Sequence, residues 1–183
     1  MPQSYLFQRE PRWIAPTPVR YKHLPCRLQS WLHEKTSLTQ RLRDEWGVVS
    51  VQVLFECWQA PFLSERQKLQ VPENRLCLVR EVVLLSHHTP LILARTVIPR
   101  ATLLATQGNL ARLGTRPLGE ILFSSTSLQR QWLDIAQISP EKWKCASSSF
   151  FIEAPVWGRR TRYSINKHPM LVSEFFLPSL LEK

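Results

Sequence analysis

The spacing of apolar and polar positions divides the chain into blocks of different period. Leu28, Trp31, Leu32, Leu38 and Leu42 recur at helical intervals and predict two short helices joined by a turn, with Thr36 or Ser37 capping the second. From Val48 the period falls to two. Val49, Val51, Val53 and Phe55 share one face of an expected strand, and Ser50, Gln52, Leu54 and Glu56 share the other. Residues 61–72 read as a polar connection. Residues 76–85 and 90–99 are almost wholly apolar, and His87-His88-Thr89 between them predicts an antiparallel hairpin. A helix is expected over 102–113, ending at Gly114. A shorter one opens at Pro117-Leu118-Gly119 and runs to Leu122, and 128–138 read as an amphipathic helix. Residues 139–155 show no period. Residues 157–165 and 170–177 have strand composition and form a second expected hairpin through His168-Pro169. Strands and helices come in blocks without βαβ alternation, so the expected class is α+β around one antiparallel sheet.

Composition narrows the function. At 183 residues, 44% hydrophobic and with seven Trp, the chain suits one domain with a real core, which excludes wholesale disorder. No 20-to-50-residue period recurs, which excludes a repeat array. The longest apolar runs fall far short of the roughly 18 residues of a membrane helix. The Pro-punctuated N-terminus holds no secretory apolar core. Cys26, Cys57, Cys77 and Cys145 make no C-x-x-C or zinc spacing and read as reduced thiols of a cytoplasmic protein, with Cys57 and Cys77 as buried small hydrophobes. The 24 Lys and Arg against 14 Asp and Glu give a net charge of +10. These basic residues are dispersed. Arg9, Arg12, Arg20, Lys22 and Arg27 lie near the N-terminus, and Arg159, Arg160, Arg162 and Lys167 form a second group. Both groups read as solvated surface, and no nucleic-acid partner is expected. No P-loop, G-x-G-x-x-G or G-x-S-x-G is present, and the five His lack metal-ligand spacing. A nucleotide-binding enzyme and a serine hydrolase are both disfavoured.

Charges inside expected core strands point to chemistry. Arg80 shares a face with Leu76, Leu78, Val82 and Leu84. Arg95 shares one with Leu91, Leu93 and Val97, and Glu174 one with Met170, Val172 and Phe176. A lone charge in a dry core costs several kcal/mol unless a partner neutralises it. Two resolutions stand open. Arg80 and Arg95 pair with Glu81, Glu174 or Glu56 in an internal network, or a ligand carboxylate completes the pair, for which the guanidinium fork is suited.

The same strands carry a family resemblance. Leu78-Val79-Arg80-Glu81-Val82-Val83-Leu84 resembles the W-L-R-E-I-L-L strand of the bacterial chorismate lyases. The likeness continues through Ser37-Leu38-Thr39-Gln40-Arg41, Ala94-Arg95-Thr96-Val97-Ile98-Pro99 and Arg116-Pro117-Leu118-Gly119. It ends with Trp157-Gly158-Arg159-Arg160-Thr161-Arg162 and Ser173-Glu174-Phe175-Phe176-Leu177-Pro178. Residues 139–155 resemble an insertion relative to that family. The resemblance implies conversion of chorismate to 4-hydroxybenzoate and pyruvate, the entry step of ubiquinone synthesis, without a cofactor. It implies a single antiparallel sheet whose helical flaps enclose an internal ligand cavity. Carried over residue by residue, Arg80 binds the ring carboxylate and Glu174 sits near the ring hydroxyl, these two being the expected catalytic residues. Leu38 and Leu118 fall at flap positions that contact the ligand. Arg95 is a candidate, by position, for the enolpyruvyl carboxylate.

The expected organisation is an extended arm over 1–20 and one catalytic domain over 21–183, monomeric and held back by slow product release. Two rivals stand beside this reading. One is an effector-binding domain of the same fold, for which the N-terminal arm is short of a DNA-binding domain. The other is a basic nucleic-acid-binding module, which leaves Arg80 and Glu174 inside strands unexplained.

Overall fold

A computed structural model of the chain describes residues 4–18, 22, 24–144 and 152–182. Among them the long apolar stretches pair into a six-stranded antiparallel sheet. Its strands are β1 (Val49–Gln59), β2 (Cys77–Ser86), β3 (Thr89–Pro99), β4 (Gln129–Ile138), β5 (Val156–Ile165) and β6 (His168–Phe176), in the order β1-β2-β3-β6-β5-β4. Helices α1 (Cys26–Leu32), α2 (Leu38–Trp46), α3 (Leu63–Leu69), α4 (Arg100–Ala105), α5 (Leu118–Ser124) and α6 (Pro178–Leu181) accompany it. This is the α+β class the block order predicted. Ser37 caps α2, its hydroxyl accepting from the Gln40 amide at 3.3 Å.

Both faces of the sheet are covered. On the front, Val82, Leu84, Ile92 and Phe176 pack under Leu28, Trp31, Leu38 and Leu42 of α1 and α2. Leu78, Ile98, Met170, Val172 and Tyr163 pack with Leu103 of α4 and Leu122 of α5. On the back, Val83, Leu93 and Phe175 meet Leu6, Phe7, Phe62, Trp143 and Ile152. A second back cluster joins Val79, Val97 and Leu171 to Leu69. Burial on both sides is why β2 and β3 read as unbroken apolar runs instead of alternating ones. Of the N-terminal residues, expected as an extended arm, Leu6 and Phe7 lie in this back layer, where Phe7 bridges to Trp143, while Ile14 bridges to Ile135 of β4 and packs with the front cluster.

Several local expectations are corrected. Of the residues 128–138 expected as a helix, Gln129–Ile138 form the strand β4, because Leu133, Ile135 and Ala136 are drawn into pairing with β5 and that register overrides their helix-like spacing. The connection at 61–72 contains α3, whose Glu65 carboxylate accepts from the Phe62 amide at 2.8 Å. The helix expected over 102–113 breaks after Ala105: Gly108, at φ 73°, takes a left-handed turn, and only a short 3-10 turn at Asn109–Ala111 follows. The second hairpin turns at Asn166 and Lys167, with φ of 50° and 67°, while His168 and Pro169 already belong to β6. Cys77 is fully buried and burial pushes its thiol up to about 12, but Cys57 is only half-buried. Arg159 and Arg160, expected as solvated surface, are each 1% exposed. Cys145, Arg20, His23 and positions 145–151 of the expected insertion lie outside the described residues.

Candidate active site

Strand register aligns the polar groups of the front face. Arg80, Thr96, Val172 and Thr161 form one row across β2, β3, β6 and β5; Val82, Ala94, Glu174 and Arg159 form the next. Two β-bulges decide which charges belong to this face. In β1 the pairing passes from Val53 with Val82 to Phe55 with Glu81, leaving Leu54 extra. Val53 and Phe55 therefore take opposite faces, contrary to the period-two reading, and Glu56 comes to stand opposite Arg80. In β3 the pairing passes from Pro90 with Leu85 to Ile92 with Leu84, skipping Leu91, so that Arg95 stands opposite Glu81.

The front-face row borders a partly covered cavity of about 60 Å³. Arg80, Glu174, Arg159 and Tyr163 line it from the sheet. Thr36, Leu38 and Thr39 line it from the start of α2, and Pro117, Leu118 and Gly119 from the start of α5. These two helix starts are the flaps. They meet closely enough that a Cβ on Gly119 would lie 2.8 Å from the Ser37 Oγ, and Arg43 of α2 pairs with Glu120 of α5 at 2.6 Å. An apolar cavity that holds benzene measures roughly 150 Å³. The closed flaps must therefore move outward to admit a ring.

Arg80 is 2% exposed yet incompletely satisfied. Its Nε lies 3.2 Å from the Glu56 carboxylate without hydrogen-bond geometry, and its Nη2 donates to the Gly114 carbonyl at 2.6 Å. Burial pushes its guanidinium below the ordinary arginine value, and the Glu56 carboxylate only partly restores it. A buried guanidinium whose protein counter-charge is a half-exposed carboxylate is suited to an anionic ligand. Glu174 sits one strand beyond β3. The Nε of Arg159 donates to its carboxylate at 2.7 Å. Arg159 Nη1 donates to the carbonyls of Trp31, Leu32 and Glu34 at 3.2, 3.2 and 2.6 Å, so this residue ties Glu174 to the turn between α1 and α2.

Of the five residues singled out from sequence, Arg80, Glu174, Leu38 and Leu118 come together around the cavity. Arg95 does not. It lies on the back face, where its Nε and Nη2 donate to Glu65 at 2.8 and 3.0 Å and its Nη1 to Glu81 at 2.7 Å. Burial alone would disfavour its charge, but the two carboxylates outweigh that and hold it above the ordinary arginine value. The internal-network resolution thus describes Arg95, and its expected contact with the enolpyruvyl carboxylate is withdrawn. Sequence reasoning missed Arg159 and Tyr163. The available signal was their period of two with Thr161 on a strand adjoining the one that carries Glu174.

The profile of the family described as Chorismate lyase matches residues 8–183. The chain belongs to this family. It is 43% identical over 156 residues to the "Probable chorismate pyruvate-lyase" of Methylococcus capsulatus, covering 84% of this chain and 96% of that one. It is 31% identical over 168 residues to the "Chorismate pyruvate-lyase" of Erwinia tasmaniensis, covering 91% and 86%. Among solved structures, the PhnF C-terminal domain superposes with a TM-score of 0.57 at 14% identity, covering 79% of this chain and 90% of that chain. PhnF from Mycobacterium smegmatis superposes at 0.58 with 13% identity, over 80% and 66%. At such identities the likeness establishes the fold alone. Family membership gives the front-face cavity a substrate class that its geometry can be tested against. Among the described residues no helix is long and apolar enough to cross a membrane.

Proposed function

We propose that this protein is a chorismate pyruvate-lyase that releases pyruvate from chorismate and leaves 4-hydroxybenzoate, the entry step of ubiquinone synthesis. The observation that carries this reading is the pairing of an under-satisfied Arg80 with Glu174 on adjacent rows of one flap-covered cavity. The names of the relatives support the same reaction. In this account Arg80 holds the ring carboxylate, Glu174 accepts a hydrogen bond from the C4 hydroxyl, and Leu38 and Leu118 close over the ring. No cofactor enters, and the protein works as a cytoplasmic monomer.

Aromatisation supplies most of the driving force, so positioning matters more than a strong base. The hydrogen on C4 passes to the enolpyruvyl methylene in a six-membered transition state. The C4–H electrons form the new ring double bond while the C3–O bond breaks, and its electrons become the pyruvate carbonyl. Glu174, held by Arg159, orients the hydroxyl and need not take a proton. Glu174→Gln separates the roles: substantial residual turnover is expected, and loss of turnover with intact substrate affinity would make Glu174 the general base.

Incubation of the purified protein with chorismate in EDTA tests the whole reading. Equimolar 4-hydroxybenzoate and pyruvate are expected. Tight binding without turnover would instead indicate an effector-binding domain of the same fold, and 3-hydroxybenzoate or anthranilate a different reaction. Because closed flaps also retain the product, a burst followed by a slower steady rate is expected.

A further inference from the structure

Chorismate carries two carboxylates, and with Arg95 on the back face the second of them lacks an assigned partner. Arg159, the nearest cation on the cavity wall, is committed to Glu174 and to three backbone carbonyls. A further polar group on the sheet side of the cavity flanks the line from Arg80 to Glu174: Tyr163 pairs with Met170, one row from the Arg80 row on the side away from Glu174. Tyr163 lies on β5, three strands from Arg80 and one from Glu174, and lines the same cavity. Strands stand about 4.8 Å apart, so a ring held between Arg80 and Glu174 has Tyr163 to one side, where a substituent on the carbon beside C4 projects.

The Tyr163 hydroxyl is prepared as a donor. Arg130, its register partner on β4, donates from Nη2 to the phenol oxygen at 3.1 Å and places its guanidinium 5.6 Å from the ring centre. The oxygen thus already accepts from a cation. Its own proton has no acceptor among the hydrogen bonds of the described residues. Phe123 of α5 packs edge-on against the ring at 6.4 Å and helps fix its orientation. Burial, reinforced by the Glu174 charge, keeps the phenol protonated at neutral pH.

We infer that Tyr163, polarised by Arg130, forms the subsite for the enolpyruvyl carboxylate, making it a specificity-determining residue of the cavity. The inference rests on the lyase reading, and it makes a distinction that reading does not. Tyr163 touches a group that the substrate carries and the aromatic product lacks, whereas Arg80 serves the carboxylate common to both. Arg130 is a positioning residue that acts through the phenol.

The test compares wild type, Tyr163→Phe and Arg130→Met by steady-state kinetics on chorismate, pyruvate inhibition and calorimetric titration of 4-hydroxybenzoate. Tyr163→Phe is expected to raise KM for chorismate about tenfold, the scale of one hydrogen bond to a charged group. It should weaken pyruvate inhibition in parallel and leave the 4-hydroxybenzoate Kd within about twofold, a split expected of lost substrate-specific contact. Arg130→Met should move KM in the same direction by a smaller factor, and it decides the matter if the Phe variant does not melt cooperatively. An unchanged KM, or equal weakening of substrate and product, overturns the inference and reduces Tyr163 to a wall of the cavity. Wild type that makes no pyruvate overturns the lyase reading itself, an outcome visible before any variant is measured.

Discussion

Arg80 and Arg95 occupy facing strands of one hairpin, one register position apart, and both are almost wholly buried. Their surroundings differ completely. Arg95 lies between Glu65 and Glu81, and Glu81 also accepts from the Ser4 hydroxyl at 2.6 Å and from the amides of Tyr5 and Leu6 at 2.6 and 3.1 Å. Nearby on the same face, Arg160 pairs with Asp134 at 3.1 Å and lies 4.7 Å from the ring of Trp13. The back-face charges thus fasten the N-terminal segment and α3 to the sheet. Arg80 on the front has one half-exposed carboxylate at the edge of its reach and a cavity before it. Burial costs both guanidiniums solvation. On the back, protein carboxylates offset it; on the front, the account leaves that role to a substrate.

Emptying the back-face network should have the largest effect. Arg95→Met leaves Glu65 and Glu81 buried without their cation and should destabilise the fold by about 3–5 kcal/mol in urea melts. Whatever protein remains folded should bind 4-hydroxybenzoate as wild type does. A mild loss of stability, or a specific loss of ligand affinity, would erase the division between the faces.

The front face should respond in kinetics more than in stability. In Gly119→Ala the new methyl meets the Ser37 Oγ, which must give up its cap on α2 to make room, so stability in the melt should fall by only about 1 kcal/mol. The flaps should close less tightly and product release should quicken several-fold, seen as a smaller burst in stopped flow. An unaltered burst would mean that this contact does not gate release.

The smallest expected effect concerns pH. The folded Cys77 thiol is raised from 9.0 to about 12, so above pH 9 the unfolded chain loses its proton first. This contribution to stability is present in full below pH 9 and is lost as pH rises toward about 12. Urea melts at pH 8 and 10 should therefore show a decline that Cys77→Ala makes shallower.

Much of the fold was legible because β2, β3 and β6 bury both faces and so stand out as largely apolar runs. β4 was not, since its apolar residues mimic helical spacing and only its pairing with β5 and with Ile14 makes it a strand. The site was legible in its identities more than in its geometry. Counting back from the Leu85–Pro90 pair without interruption would set Arg80 opposite Arg95 on one face. The extra residue at Leu91 moves Arg95 to the other face, and the extra residue at Leu54 brings Glu56 to Arg80. A bulge is a one-residue event with no side-chain signature of its own, which is why the two charges that period-two counting cannot separate end with different partners.

In the proposed function, a ligand carboxylate supplies Arg80 with the counter-charge that Glu56 only partly provides. Calorimetric titration of 4-hydroxybenzoate into wild type and a folded Arg80→Ala variant tests it most directly. Affinity should fall by about 2–5 kcal/mol, as when one partner of a buried charged pair is removed. Equal affinity in the two proteins would contradict it.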